Sequence, residues 1–97
     1  MAKRFFSTFE SVPNDFAAAK FRLGEFGVIR ANGKRYNVMP VKDKTTLAVG
    51  DSVFTRAGGN YGIYEIIAID DRWYSVGHGD KKKGRVIRAD VLGKVVL

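Results

Sequence analysis

The chain has no cysteine, two prolines and a single histidine, His78. Without thiols it forms no disulfide and no thiolate metal site, and one imidazole does not assemble a zinc centre of nitrogen and sulfur ligands. No cofactor is expected. A reducing, cytoplasmic compartment is the default for such a chain. No apolar run approaches the roughly 20 residues that a membrane helix needs, so no membrane partner is expected. The start, Met1-Ala2-Lys3-Arg4-Phe5-Phe6-Ser7, is basic but lacks the apolar core of a signal peptide, and Met1 fits a natural start.

Catalytic patterns are equally sparse. His78 sits between Gly77 and Gly79 with no evident orienting partner, so it reads as an exposed loop histidine and not a general base. Gly58-Gly59-Asn60-Tyr61-Gly62 lacks the Gly-Lys-Ser/Thr ending of a phosphate-cradling loop and precedes a strand, not a helix. Gly77-His78-Gly79 has no further glycine at dinucleotide-binding spacing. Asp70-Asp71 reads as a turn rather than an acid/base pair. The chain is expected not to be an enzyme.

What is present is positive charge and aromatic side chains. The 97 residues carry a net charge of +7, with a pI near 9.9. Such a balance favours polyanionic partners. The excess is uneven: residues 1–47 hold nine Lys/Arg against four Asp/Glu, and residues 48–97 hold eight against six. An apolar content of 45% suits a folded domain with one thin core.

One domain is expected, with an N-terminal helical segment (1–24), a hairpin (25–41) and a β unit (48–97). Ser11 or Asn14 offers a helix cap, Pro13 fits a first turn and Asp15 complements the helix dipole. The spacing predicts a helix within 14–23, stopped at Gly24, with Phe16, Ala19 or Lys20, and Leu23 near one face. Asn32-Gly33 predicts a two-residue hairpin turn. It sets the register: Ala31 faces Lys34, Arg30 faces Arg35, Ile29 faces Tyr36, Val28 faces Asn37 and Gly27 faces Val38. Ile29, Tyr36 and Val38 then share the core face. Pro40 places the end of the second hairpin strand at an edge.

From Val49 onward the pattern is strand, Gly-rich turn, three meandering strands, short turn and last strand. Strands are expected near 26–31, 34–39, 51–56, 62–69, 72–77, 85–88 and 94–97, with a helical turn at 89–93. The expected fold is mostly β: a small SH3-like barrel over about 48–97, with the short helix and hairpin packed on it. The expected core is Ile29, Val38, Val53, Ile67, Ile69, Trp73 or Tyr74, Val86 and Val95.

Residues 50–70 resemble a KOW motif, the short SH3-like element of transcription-elongation factors and several ribosomal proteins. Gly50-Asp51-Ser52-Val53-Phe54 matches its opening, Gly58 and Gly62 its turn, and Ile67, Ile69 and Asp70 its strand end. Glu65 stands where the motif has a third glycine. The resemblance implies contact with RNA, DNA or a transcription or ribosomal protein through the loops. A looser likeness joins the N-terminal helix, Gly27-Val28-Ile29, Gly50-Asp51 and Asp70-Asp71. That pattern is similar to small head–tail joining proteins of tailed phages and would imply a structural subunit in a ring.

The leading functional expectation is a nucleic-acid-binding module of phage or bacterial type. It would hold DNA or RNA mainly by phosphate, with a protein partner in host transcription or chromatin machinery as the alternative. Lys81-Lys82-Lys83, expected on a loop, and Arg85 form the sharpest basic cluster. Arg30 and Arg35 stand opposite each other, an unfavourable pairing unless the side chains splay or an anion lies between them. Tyr61, after the glycine turn, is the first candidate to stack on a base, and Tyr74 the next. Trp73, Tyr36, Phe54, Phe26 and Tyr64 are assigned to the core. The candidate contacts are Arg30, Lys34, Arg35, Arg56, Tyr61, Lys81, Lys82, Lys83 and Arg85.

Overall fold

A computed structural model describes residues 7–8, 14–31, 33–78 and 81–96. The cap signals Ser11 and Pro13, Asn32 of the hairpin turn, Gly79-Asp80 and Leu97 lie outside the described residues, as do the side chains of Asn14 and Asp15. In chain order the elements are β1 (Ser7–Thr8), α1 (Asn14–Arg22), β2 (Gly27–Ala31), β3 (Lys34–Pro40), a 3-10 turn (Lys44–Thr46), β4 (Ser52–Ala57), β5 (Asn60–Ile69), β6 (Trp73–His78), β7 (Lys81–Ile87), a second 3-10 turn (Arg88–Asp90) and β8 (Val91–Val96). The described residues are thus mostly β with one short helix.

The strands form one sheet in the order β1-β2-β3-β8-β4-β5-β6-β7. Seven run antiparallel to their neighbours. The short β1, which the sequence did not announce, pairs parallel with β2. The sheet curls but does not close. A Cβ placed on Gly84 of β7 would lie 3.9 Å from the Gly58 nitrogen, so β7 passes over the β4–β5 turn without laddering to it.

Helix α1 ends where Gly24 adopts a φ of 85°. Glu25 N donates to Lys20 O and Gly24 N to Phe21 O, both at 3.0 Å, the paired bonds of a Schellman stop. Ala17, Ala18 and Phe21 are buried, whereas Phe16 and Leu23 are exposed. The packed face is therefore turned away from the one expected through Phe16 and Leu23. Two adjacent alanines let the helix backbone approach the sheet, and Phe21 fills the space beside them.

The β2–β3 ladder has the expected register, from Gly27↔Val38 to Ala31↔Lys34. β3 also pairs with β8, so it is an interior strand. Pro40 is tolerated because β2 pairs only as far as Val38, and Pro40 has a partner on one side alone, Gly93.

The core is double. Ile29, Val38, Phe54, Ile63 and Leu92 pack with the helix on one face. Val53, Ala57, Tyr64, Ile66, Tyr74, Val76, Val86 and Val91 pack on the other, covered by Leu47. Val95 is half-buried against the helix-side cluster.

Three expected core positions are corrected. Ile66 is fully buried and Ile67 only half-buried, because β5 bulges against β6: Ile66 pairs with Val76 and Ala68 with Ser75, leaving Ile67 as the extra residue. The bulge returns Ile69 to the face of Ile66, but at the strand end, where it is 41% exposed. Tyr74, not Trp73, is the core aromatic of β6, at 1% against 38% exposure. Strand β7 begins at Lys81, not at Arg85, and β8 begins at Val91, where a helical turn was expected.

Gly50-Asp51 has a structural task. The Asp51 carboxylate accepts from Ala48 N at 2.9 Å and pairs with Lys94 at 3.5 Å. The backbone of the pair exchanges two 2.9 Å bonds with Ile66, starting the β4–β5 ladder.

Ile66→Ala should cost about 2–5 kcal/mol in denaturant unfolding. Ile67→Ala should cost less than about 2 kcal/mol, because its side chain is only half removed from water. Gly77→Ala should destabilise by about 1–3 kcal/mol or prevent folding, since its Cβ would fall 1.9 Å from Lys81 O at the β6–β7 bulge.

Candidate functional site

The β4–β5 hairpin sets Tyr61 directly across from Arg56. Behind Tyr61 lies the buried Phe54, its ring stacked at 5.7 Å and 18°. The Arg56 guanidinium lies over the Tyr61 ring at 5.9 Å. From the last turn of α1, Arg22 Nη2 donates to the Tyr61 hydroxyl at 2.9 Å. Phe21 of the same turn packs on Phe54 at 5.1 Å, so helix end and hairpin share one base. Tyr61 is thus held on three sides, and a ring so fixed loses little side-chain entropy on binding.

Beside it runs an open cleft of about 260 Å³, lined by Arg30, Ala31, Tyr61, Ile63, Tyr64 and His78. A second depression of about 180 Å³ continues past Tyr64 and His78 to Tyr36 and Glu65. The His78 and Tyr64 rings lie 5.1 Å apart, and the Tyr64 hydroxyl donates to Ala57 O and Asn60 O within the hairpin turn. Lys81 pairs across the β6–β7 ladder from His78. The part of the cleft near Tyr61 therefore has cations at its rim and rings on its wall. The part near Glu65 carries a carboxylate and suits an anion less.

Of the residues singled out from the sequence, the structure brings Arg30, Arg56 and Tyr61 together, with Lys81 beside His78. Arg35 pairs across from Arg30 and Lys34 across from Ala31 at the end of the β2–β3 hairpin. Lys82, Lys83 and Arg85 stand apart, on the edge strand β7. Lys82 pairs with Gly77 and Arg85 with Ser75, on the face turned from the core, and Lys83 is the bulged residue between paired positions. The three lysines were expected on a loop; they belong to a strand, so they do not share one direction. Tyr74 offers no stacking surface, because it is buried with its hydroxyl on Lys44 O at 2.8 Å. Trp73 takes the outer place, with Arg85 over its ring at 5.3 Å.

Sequence reading passed over Arg22, which acts on a tyrosine 39 residues away. It also gave His78 no role at the cleft. Neither has a local signal. Arg30 and Arg56 have no carboxylate partner among the described residues, where the ion pairs join Lys20 to Glu25 and Lys94 to Asp51, each at 3.5 Å. Among the described residues there is no group of three His, Asp or Glu side chains placed to hold a metal ion, and no helix is long and apolar enough to cross a membrane.

The chain matches no protein-family model, no curated protein and no solved structure.

Tyr61→Phe should remove the bond from Arg22, costing about 0.5–1.5 kcal/mol by denaturant unfolding. Tyr61→Ala should cost more, about 2 kcal/mol or above, because Phe54 then loses its stacked ring.

Proposed function

We propose that the protein is a non-enzymatic nucleic-acid-binding module on a small SH3-like β scaffold. It holds DNA or RNA mainly through phosphates laid along the cleft between the β2–β3 hairpin and β5–β6. The observation that carries this reading is that Arg22 and Arg56 both engage Tyr61, which lines the cleft together with Arg30. Uncompensated guanidinium groups are suited to phosphate oxygens, which they bind in bidentate fashion. Tyr61 and His78 add ring surface for an unpaired base, in an arrangement that tolerates any sequence. α1 supplies only Arg22, so no helix is offered to a major groove and little base preference is expected.

Binding should therefore weaken steeply with salt. The double variant Arg30→Ala, Arg56→Ala should lower the slope of log affinity against log salt by roughly 1.5–2 units, depending on whether the ligand is single- or double-stranded. Folding stability should fall by less than about 1 kcal/mol, because loss of the Arg56–Tyr61 contact is partly offset by relief of the Arg30–Arg35 repulsion. Lys83→Ala, at the bulge, should change the slope less than Lys81→Ala. Electrophoretic shifts with duplex DNA, single-stranded DNA and structured RNA across a salt series make the measurement. No shift with any of the three at low salt removes the reading and favours a protein partner.

A further inference from the structure

A second basic depression lies on the far side of Arg22 from the cleft. It encloses about 340 Å³ and is lined by Phe21, Arg22, Val41, Lys42, Lys44 and Leu92, with Gly24, Pro40 and Ala89 at its margin. Three of the lining side chains are cationic, and among the described residues none is a carboxylate.

Two of the three cations, Lys44 and Arg22, are held in place. Lys44 opens a 3-10 turn that Asp43 caps, its carboxylate accepting from Thr45 N at 3.0 Å and from the Thr45 hydroxyl at 2.5 Å. These bonds, the hydroxyl first, keep the Asp43 carboxyl below its usual range. They also commit this neighbouring acid to its own turn. Lys44 O accepts from the Tyr74 hydroxyl at 2.8 Å and from Leu47 N at 3.2 Å, which ties the turn to the core. The Lys44 ammonium gives one hydrogen bond, to Val41 O at 2.7 Å, and an ammonium has two more to give. Burial without a carboxylate partner pushes its pKa down. Arg22 is fixed by the Schellman stop and by Tyr61.

The helix C-terminus carries about half a negative charge, which opposes an anion. The carbonyls of Ala19, Lys20 and Phe21 already accept hydrogen bonds from residues 23–25, and three full cations outweigh the remainder.

We propose that this depression is a phosphate-binding subsite, with Lys42, Lys44 and Arg22 as its ligands. A phosphomonoester or orthophosphate, carrying about −1.5 to −2 charge near neutrality and several acceptor oxygens, matches three cationic residues lining one depression better than a single carboxylate does. The subsite shares Arg22 with the cleft, but Lys42 and Lys44 lie outside it, so a test through those two lysines does not depend on nucleic-acid binding at the cleft. The phosphate is either the terminal phosphate of a nucleic acid or that of a small metabolite.

The test is a titration of the ¹⁵N-labelled chain with inorganic phosphate at constant ionic strength, with chloride as the control. Saturable amide shifts at Val41, Lys44 and Ala89 are expected. Lys42→Gln should weaken the apparent affinity about tenfold, the loss of one charge-assisted bond, while Lys82→Gln leaves it unchanged. Lys44→Gln should weaken it as much or more. Lys42, an exposed loop residue, keeps the test readable if the Lys44 variant does not fold. Displacement of phosphate by a 5′-phosphorylated oligonucleotide, but not by its 5′-hydroxyl form, supports the site and names a nucleic-acid terminus as the source. Displacement by neither supports the site with a small phosphorylated ligand. Shifts that never saturate, or that chloride reproduces, or that Lys82→Gln abolishes equally, overturn the proposal.

Discussion

The fold depends on one strand that is buried on both faces. β4 sends Val53 into the core beneath Leu47 and Phe54 into the core beneath the helix, and β8 and β5 ladder to its two edges. Neither core can form without it. The β4–β8 ladder shifts register at the same place: Phe54 pairs with Gly93 and Thr55 with Val91, so Leu92 is the extra residue. Val91 and Leu92, adjacent in sequence, enter opposite cores, as Val53 and Phe54 do on β4. Thr55, fully buried between them, is satisfied by donating its hydroxyl to Asp90 O at 2.9 Å. A strand enclosed in this way has little freedom to shift, and the groups at its hairpin end, Arg56 and its partner Tyr61, inherit that fixity.

The basic residues fall into sets with different supports. Arg22 and Arg56 are held against rings that belong to, or lean on, the helix-side core, while Arg30 stands at the rim of the same cleft. Lys42 and Lys44 come from a loop that closes the other core. Arg22 stands between the two, lining one depression and bonding the tyrosine that walls the other. The set on β7 is different in kind: its side chains rise from a strand edge, and Arg85 alone has a ring beneath it. The cations on the helix side are therefore more firmly supported than those on the edge.

Legibility in the sequence followed the range of the forces involved. The β2–β3 hairpin was readable residue by residue, because Asn-Gly dictates a turn and a two-residue turn dictates register. The helix stop at Gly24 was readable for the same local reason. The core phase of β5 was not, because Ile66 and Ile67 are chemically identical and only the pairing with β6 decides which is extra. Lys81-Lys82-Lys83-Gly84 has low strand propensity and reads as a loop; pairing with β6 overrides that preference. The cleft was half legible. Arg30, Arg56 and Tyr61 carry signals of charge and turn position. Arg22, His78, Lys42 and Lys44 gain significance only from neighbours that lie far away along the chain.

The edge strand has a further consequence. An unpaired strand is a template on which another copy can add, and curled sheets with free edges are open to fibre growth. On β7 that edge bears Lys81, Lys82, Lys83 and Arg85, and the Val76–Gly77 bulge breaks its regularity. Two such edges approaching each other bring eight cations face to face. That encounter is unfavourable, so the charged edge opposes strand pairing between copies.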